Sequence, residues 1–283
     1  MLRIDSVSAG YGTTEILHSI SLDFSQPGIY VVLGPNGAGK TTLFRTVAGV
    51  IKPVVGTITL DSADLYSSNE VRREIGYLSH VSALPEEMTV RDSLKFYAEI
   101  EDGSVDRAID ALELRDLATK KINSLSQGQK KRVSIAKLFL RERKLYLMDE
   151  PTSNLDPVVA KEVRDIVLRL SKDRFVLYSS HNLYEAQEIG DYIVLIKDGA
   201  IGFFGKKDEL RTGEYRIGVK TSGDPSKLFP QGRYEKEYYV MSVSGRERVS
   251  EIVKGLVSAG LKVYEVKEMG NPLEELFGIG VEQ

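Results

Sequence analysis

The stretch Gly34-Pro35-Asn36-Gly37-Ala38-Gly39-Lys40-Thr41 satisfies the pattern G-x-x-x-x-G-K-[ST] at every fixed position. An apolar run at residues 29–33 precedes it and reads as a buried strand. Residues 42–49 follow it and read as a short helix. Strand, glycine-rich loop and helix together form a phosphate cradle. The glycines let backbone N–H groups approach phosphate oxygens, and the positive end of the helix dipole favours the anion. Gly34, Pro35, Asn36, Gly37, Ala38, Gly39, Lys40, Thr41 and Thr42 are therefore the expected seat of a nucleoside triphosphate. Lys40 would reach its β/γ-phosphates, and the Thr41 hydroxyl would ligate Mg²⁺.

Two further apolar runs end in groups that suit hydrolysis. Leu145-Tyr146-Leu147-Met148 reads as a buried strand and delivers Asp149 and Glu150. Asp149 is placed to hold Mg²⁺, and Glu150 to orient and deprotonate the attacking water. Phe175-Val176-Leu177-Tyr178-Ser179-Ser180 delivers His181 to the same edge, where an imidazole can hydrogen-bond the γ-phosphate and that water. Lys40, Glu150 and His181 are the expected catalytic set. Between these runs, Ser126 and Gln129 in Leu125-Ser126-Gln127-Gly128-Gln129 form a capping-box pattern and make a second helix N-terminus, a second anion site. Asp156-Pro157 reads as an N-cap with proline at the first helical position, opening a helix to about residue 170.

Composition narrows the setting. With 283 residues, the chain accommodates one large domain and a smaller appendage. It has no cysteine, which excludes disulfides and thiolate metal sites and fits a reducing cytosol. A formal net charge of −3 argues against nucleic acid as the main partner. No apolar run approaches the roughly 20 residues of a membrane span, and the first residues lack a signal-peptide core. A membrane role would need another chain to hold this one at the cytoplasmic face.

Taken in order, the P-loop, LSQGQ, LYLMDE, SNLD and SSH segments resemble the nucleotide-binding subunit of an ATP-binding cassette (ABC) transporter, over roughly residues 1–210. The resemblance implies a P-loop α/β core with an antiparallel β layer, and a helical subdomain at about residues 81–140. It implies ATP and Mg²⁺ as ligands and a head-to-tail pair of cassettes, either a homodimer or two different chains, working on a separate membrane permease. Ser126, Gly128 and Gln129 would then meet the γ-phosphate held by a partner's Lys40. Asp156 would lie on the loop crossing the interface, and Tyr11 would stack on adenine. Soluble non-transport cassette ATPases and ATP-sensing regulators are the alternatives.

Two positions depart from the family pattern. Gln127 stands where the signature usually has glycine. His80 stands where a glutamine usually touches Mg²⁺ and senses the membrane subunit. Mg²⁺ prefers oxygen ligands, so His80 is expected to act as a hydrogen-bond and coupling residue near the nucleotide rather than as a metal ligand.

Residues 2–9 and 15–24 read as strands with one wet face, and Ile16, His18, Ile20 and Leu22 are expected to share a face. Residues 57–61 add to that layer. Core strands are expected at 29–33, 76–78, 145–149, 175–179 and 192–196. Residues 211–283 are expected to form a small accessory α+β domain in β-β-α-β order. Its strands fall at 214–220, 234–244 and 261–268, with an apolar helix face of Val249, Ile252, Val253, Leu256 and Val257. A short terminal helix is expected at 273–277. The tail from Asn271 to Phe277 resembles ATPases of drug and polysaccharide exporters, which favours export over import.

Overall fold

The computed structural model describes residues 1–80, 83–172, 174–211, 215–243 and 246–269. Two compact units emerge, Met1–Phe204 and Gly205–Gln283.

A six-stranded sheet organises the first unit. Gly28–Leu33, Phe175–Ser180, Leu145–Met148 and Ile75–Leu78 lie side by side in that order and run parallel. Tyr192–Lys197 flanks the first of them in parallel, and Ala200–Lys206 forms the edge. The central strands are buried on both faces, so they read as continuous apolar runs rather than alternating ones. Tyr30 and Val32 join one core with Leu43, Phe44 and Val47 of the helix Lys40–Val47 and with the antiparallel sheet. Fully burying each such aliphatic side chain is worth about 1.5–3 kcal/mol.

That second sheet is antiparallel and holds Thr14–Phe24, Leu2–Tyr11, Val55–Leu60 and Ala63–Asp64 in that order. Its register corrects one sequence expectation. Ile16, His18, Ile20 and Leu22 do not share a face: Leu17, Ile20 and Leu22 are buried, while His18 is exposed and meets Glu15 at 2.9 Å. A register shift falls between the Val7↔Ile20 and Ala9↔Leu17 pairs, and Ser19 sits there at φ 49°. A β-bulge inserts one residue and inverts the alternation beyond it. Ser6, at φ 49°, lies at a matching shift on the neighbouring strand.

The helices Val90–Glu101, Val105–Ala111 and Gln127–Ala136 occupy the segment expected to be helical. Thr89, Ser104 and Ser126 each cap their own helix with a side-chain oxygen.

In the second unit, Arg233–Glu235, Tyr238–Val243, Tyr215–Thr221 and Val263–Met269 form an antiparallel sheet in that order. The run expected as one strand at 234–244 is a hairpin, with Lys236 at φ 55° between its arms. The helix Arg246–Ser258 packs Ile252 and Leu256 on Ile217, Val219, Tyr239 and Met241. The expected helix at 273–277 lies outside the described residues.

Candidate active site

Four loops leave the carboxyl ends of four adjacent parallel strands, which is where open α/β sheets bind ligands. In spatial order these ends carry His80, then Asp149 and Glu150, then His181, then the P-loop.

Steric limits account for the P-loop glycines. A Cβ on Gly34 would stand 2.3 Å from the Ile196 carbonyl oxygen. Gly39 caps the helix at φ 105°, a conformation that side chains disfavour. Lys40 is 6% exposed, and its Nζ donates to the carbonyls of Gly34 at 2.7 Å and Pro35 at 3.1 Å. Glu150 Oε1 lies 3.9 Å from the same Nζ. Burial pushes the Lys40 ammonium below the usual lysine range, and the Glu150 and Asp149 carboxylates partly offset it. Tyr11, Asn36, Gly37, Gly39, Lys40, Thr41, Thr42 and Glu150 line one cavity of about 290 Å³. Tyr11 is half exposed, and its hydroxyl accepts from Arg45 at 3.0 Å.

Asp149 is buried, and its Oδ1 accepts from Ser179 Oγ at 2.7 Å. Ser179 Oγ also accepts from the Glu150 N–H at 2.8 Å, so one hydroxyl ties both carboxylate residues to the neighbouring strand. Glu150 sits at φ 48°, a left-handed conformation that costs a non-glycine residue about 1 kcal/mol or more. Its Oε1 lies 3.7 Å from His181 Nδ1. His80 Nδ1 lies 3.2 Å from Ser153 Oγ. Ser153 Oγ also lies 2.9 Å from the Glu150 carbonyl, which the Ser153 N–H reaches at 3.2 Å.

The arrangement suits a magnesium triphosphate. Thr41 and Asp149 carry hard oxygen donors, the type that Mg²⁺ prefers and that would hold it if it bound here. The side-chain-free Gly37 and Gly39, and a helix start without a side-chain cap, leave backbone N–H groups for phosphate.

Ser126, Gly128, Gln129 and Asp156 are not among the residues lining that cavity. Ser126 and Gln129 satisfy each other in a capping box, at 3.2 and 3.1 Å. Asp156 accepts from the Val158 and Val159 N–H groups at 3.1 Å each. Sequence reasoning missed Ser179, Ser153 and the buried Lys131, whose ammonium burial holds below its usual range while Asp149 and Glu150 pull it back up. The available signal for Ser179 was a pair of serines inside an otherwise apolar strand.

A parallel sheet with a P-loop lysine and a strand-end Asp-Glu pair converging beside it defines a P-loop nucleotide hydrolase. Comparison with known proteins narrows the class. The "ABC transporter" family profile matches residues 17–153. YxlF of Bacillus subtilis, named as an uncharacterized ABC transporter ATP-binding protein, is 30% identical over 98% of this chain and 98% of its own. The daunorubicin resistance ATP-binding protein DrrA3 of Streptomyces coeruleorubidus is 29% identical over 98% of this chain and 94% of its own. Relatives named for import of sulfate/thiosulfate or phosphonates align with 74% of this chain. Among solved structures, CbiO1 of Clostridium perfringens, described as part of the ABC transporter complex cbiONQ, superposes with a TM-score of 0.67. It is 27% identical and covers 74% of this chain and 89% of that one. The chain belongs to the ABC transporter family as an ATP-binding, ATP-hydrolysing subunit. Among the described residues no helix is long and apolar enough to cross a membrane.

Proposed function

We propose that this chain binds ATP with Mg²⁺ and closes head to tail on a second cassette. The resulting cycle of closure and reopening would drive a separate membrane permease from its cytoplasmic face, in the direction of export. The carrying observation is an asymmetry of the single chain. Glu150 lies within 4 Å of both Lys40 and His181 and lines the P-loop cavity with Lys40, while the Ser126 helix end lies off that cavity and retains a hydroxyl hydrogen to donate. A second chain supplying its Ser126 would complete the anion site.

In this reading Lys40 holds phosphate charge at the P-loop, with the backbone N–H groups of residues 37–42. Glu150 orients water and takes its proton, and His181 hydrogen-bonds the phosphate oxygen that gains charge. Thr41 and Asp149 hold Mg²⁺, which neutralises phosphate charge when bound. Tyr11 stacks on adenine. Export is favoured because the drug-resistance relative aligns through both units, whereas the import-named relatives align with three quarters of the chain.

The test is the solution mass of Glu150→Gln with ATP and Mg²⁺. A doubled mass that reverts when ATP is withdrawn is expected; an ATP-bound monomer at high concentration overturns the closed-dimer reading. His80 acts here through Ser153 rather than on the metal. His80→Gln is expected to lower permease-stimulated turnover more than basal turnover, and equal rates for both would make the residue a neutral replacement.

A further inference from the structure

Glu185 is a carboxylate 5% exposed that plays no part in the roles assigned above. It lies on the helix Leu183–Ile189. Its Oε1 accepts from Thr152 Oγ1 at 2.6 Å and from the Tyr178 hydroxyl at 2.7 Å, and its Oε2 accepts from Ser180 Oγ at 2.5 Å. Arg164 Nη1, on the helix Pro157–Leu170, is 3.8 Å from Oε1. Each hydroxyl has one hydrogen to give, so the 3.2 Å approach of Thr152 Oγ1 to the Tyr178 hydroxyl is a meeting of two donors at one acceptor. Ser180 Oγ in turn accepts from the Asn182 N–H at 3.0 Å.

These donors belong to two functional segments. Thr152 lies two residues beyond Glu150, and Ser180 immediately precedes His181. The segment after Glu150 is conformationally costly, with Glu150 at φ 48° and Asn154 at φ 60°, and such backbone persists only where its surroundings over-determine it. Three neighbouring groups are each anchored to a different element. Ser179 holds the Glu150 N–H, Glu185 holds the Thr152 side chain, and His80 meets Ser153. Ser179 ties the Glu150 N–H directly to the strand that carries His181, and Glu185 adds a side-chain tie between Thr152 and the last residue of that strand, Ser180.

We infer that Glu185 is a positioning residue for hydrolysis: by accepting from Thr152 and Ser180 on one buried carboxylate, it holds the backbone that carries Glu150 in register with the strand end that carries His181. This rests on the reading of Glu150 and His181 as the hydrolytic residues. Glutamine at position 185 keeps the shape and one acceptor oxygen. Its amide nitrogen cannot accept the Ser180 hydrogen, and it removes the negative charge facing Arg164.

The experiment compares the full chain with Glu185→Gln and Glu185→Ala by amide hydrogen exchange and steady-state hydrolysis. Exchange is expected to accelerate in peptides covering 150–156 and 179–183 and to stay unchanged in 34–42. For Glu185→Gln, kcat is expected to fall about tenfold, equivalent to ~1.4 kcal/mol of barrier, with KM within about twofold of wild type. Glu185→Ala should give the same pattern, larger. Unchanged exchange in the two segments overturns the proposal. So does acceleration throughout the chain with KM rising as kcat falls, which marks general loosening. Local acceleration with unaltered kcat removes the catalytic part. A Glu150→Gln control that keeps full turnover overturns instead the reading of Glu150 beneath it.

Discussion

The helix Lys40–Val47 and the helix Gln127–Ala136 are the two whose N-termini we propose meet phosphate, yet they begin in opposite ways. The first starts after Gly39 in a left-handed conformation, with no side-chain cap, and Lys40 and Thr42 are buried in its first turn. The second starts after Ser126 in extended backbone and carries a complete capping box. A missing cap costs a helix about 1 kcal/mol, because N–H groups are left without acceptors. At the P-loop those unspent groups are what a phosphate would satisfy. At Ser126 the capping box already satisfies the Ser126 and Gln129 N–H groups, and the hydroxyl hydrogen is still there to offer. One end is therefore built to be completed by its ligand. The other stands without a ligand and can wait for one brought by a partner.

The largest effect expected from this contrast is at Lys40. Lys40→Ala removes the buried cation and the donor it supplies to the Gly34 carbonyl, while the Pro35 carbonyl keeps the Ala38 N–H. Hydrolysis is expected to fall at least about a thousandfold, ~4 kcal/mol of transition-state stabilisation. Binding also stabilises by linkage: ATP at about 100 times its Kd adds roughly 2.7 kcal/mol to folding. That ATP-dependent rise in melting temperature should vanish in Lys40→Ala and survive in Ser126→Ala. An equal loss in both variants would erase the distinction between the two ends. A thermal-shift titration with and without Mg²⁺ reads it directly.

The two ends also differ in how legible they are in sequence. The P-loop is a local motif: the glycines, the lysine and the flanking apolar strand are contiguous, so fold and site could be read together. Asp149, Glu150 and His181 were legible for the same reason, each following an apolar run that ends abruptly. The groups that hold them were not. Ser179 reaches Asp149 across 30 positions, and His80 reaches Ser153 across 73. Neither pairing leaves a trace in spacing, because parallel strands adjacent in the sheet are distant in the chain. The bulges at Ser6 and Ser19 hid for another reason. A single inserted residue breaks the period of two, and no glycine marks either place. The hairpin at Lys236 was missed likewise, since a lysine holds the left-handed turn that asparagine or glycine would have advertised.

Glycine is needed at both ends, but for different reasons, and that gives an intermediate prediction. A methyl group on Gly37 would meet open space, but the residue sits at φ 82°, so Gly37→Ala meets backbone strain alone, about 1 kcal/mol. Gly128 carries no positive φ, yet a Cβ there would lie 2.4 Å from Val159 Cγ1 on the helix Pro157–Leu170. Gly128→Ala should overpack that crossing at a cost of about 1–3 kcal/mol. Adding Val159→Ala should recover part of the loss, and Val159→Ala should not rescue Gly37→Ala. Denaturant unfolding of the singles and doubles checks this. Full additivity at the Gly128–Val159 pair would mean the two helices are not in contact there.

The smallest expected effect divides the cap from the ligand contact at Ser126. Ser126→Ala loses the acceptor for the Gln129 N–H, which is worth about 1 kcal/mol, or roughly 2–4 °C in melting temperature for a unit of this size. Aspartate is as good a cap as serine, and its charge suits the positive helix end. Ser126→Asp should therefore restore the melting temperature while setting a carboxylate where a partner's phosphate would arrive. Hydrolysis should fall in both variants, and further in Ser126→Asp, although that protein is as stable as wild type. If turnover instead tracked stability, recovering in Ser126→Asp, the Ser126 end would be only a well-capped helix. The contrast with the P-loop would then rest on structure without chemistry.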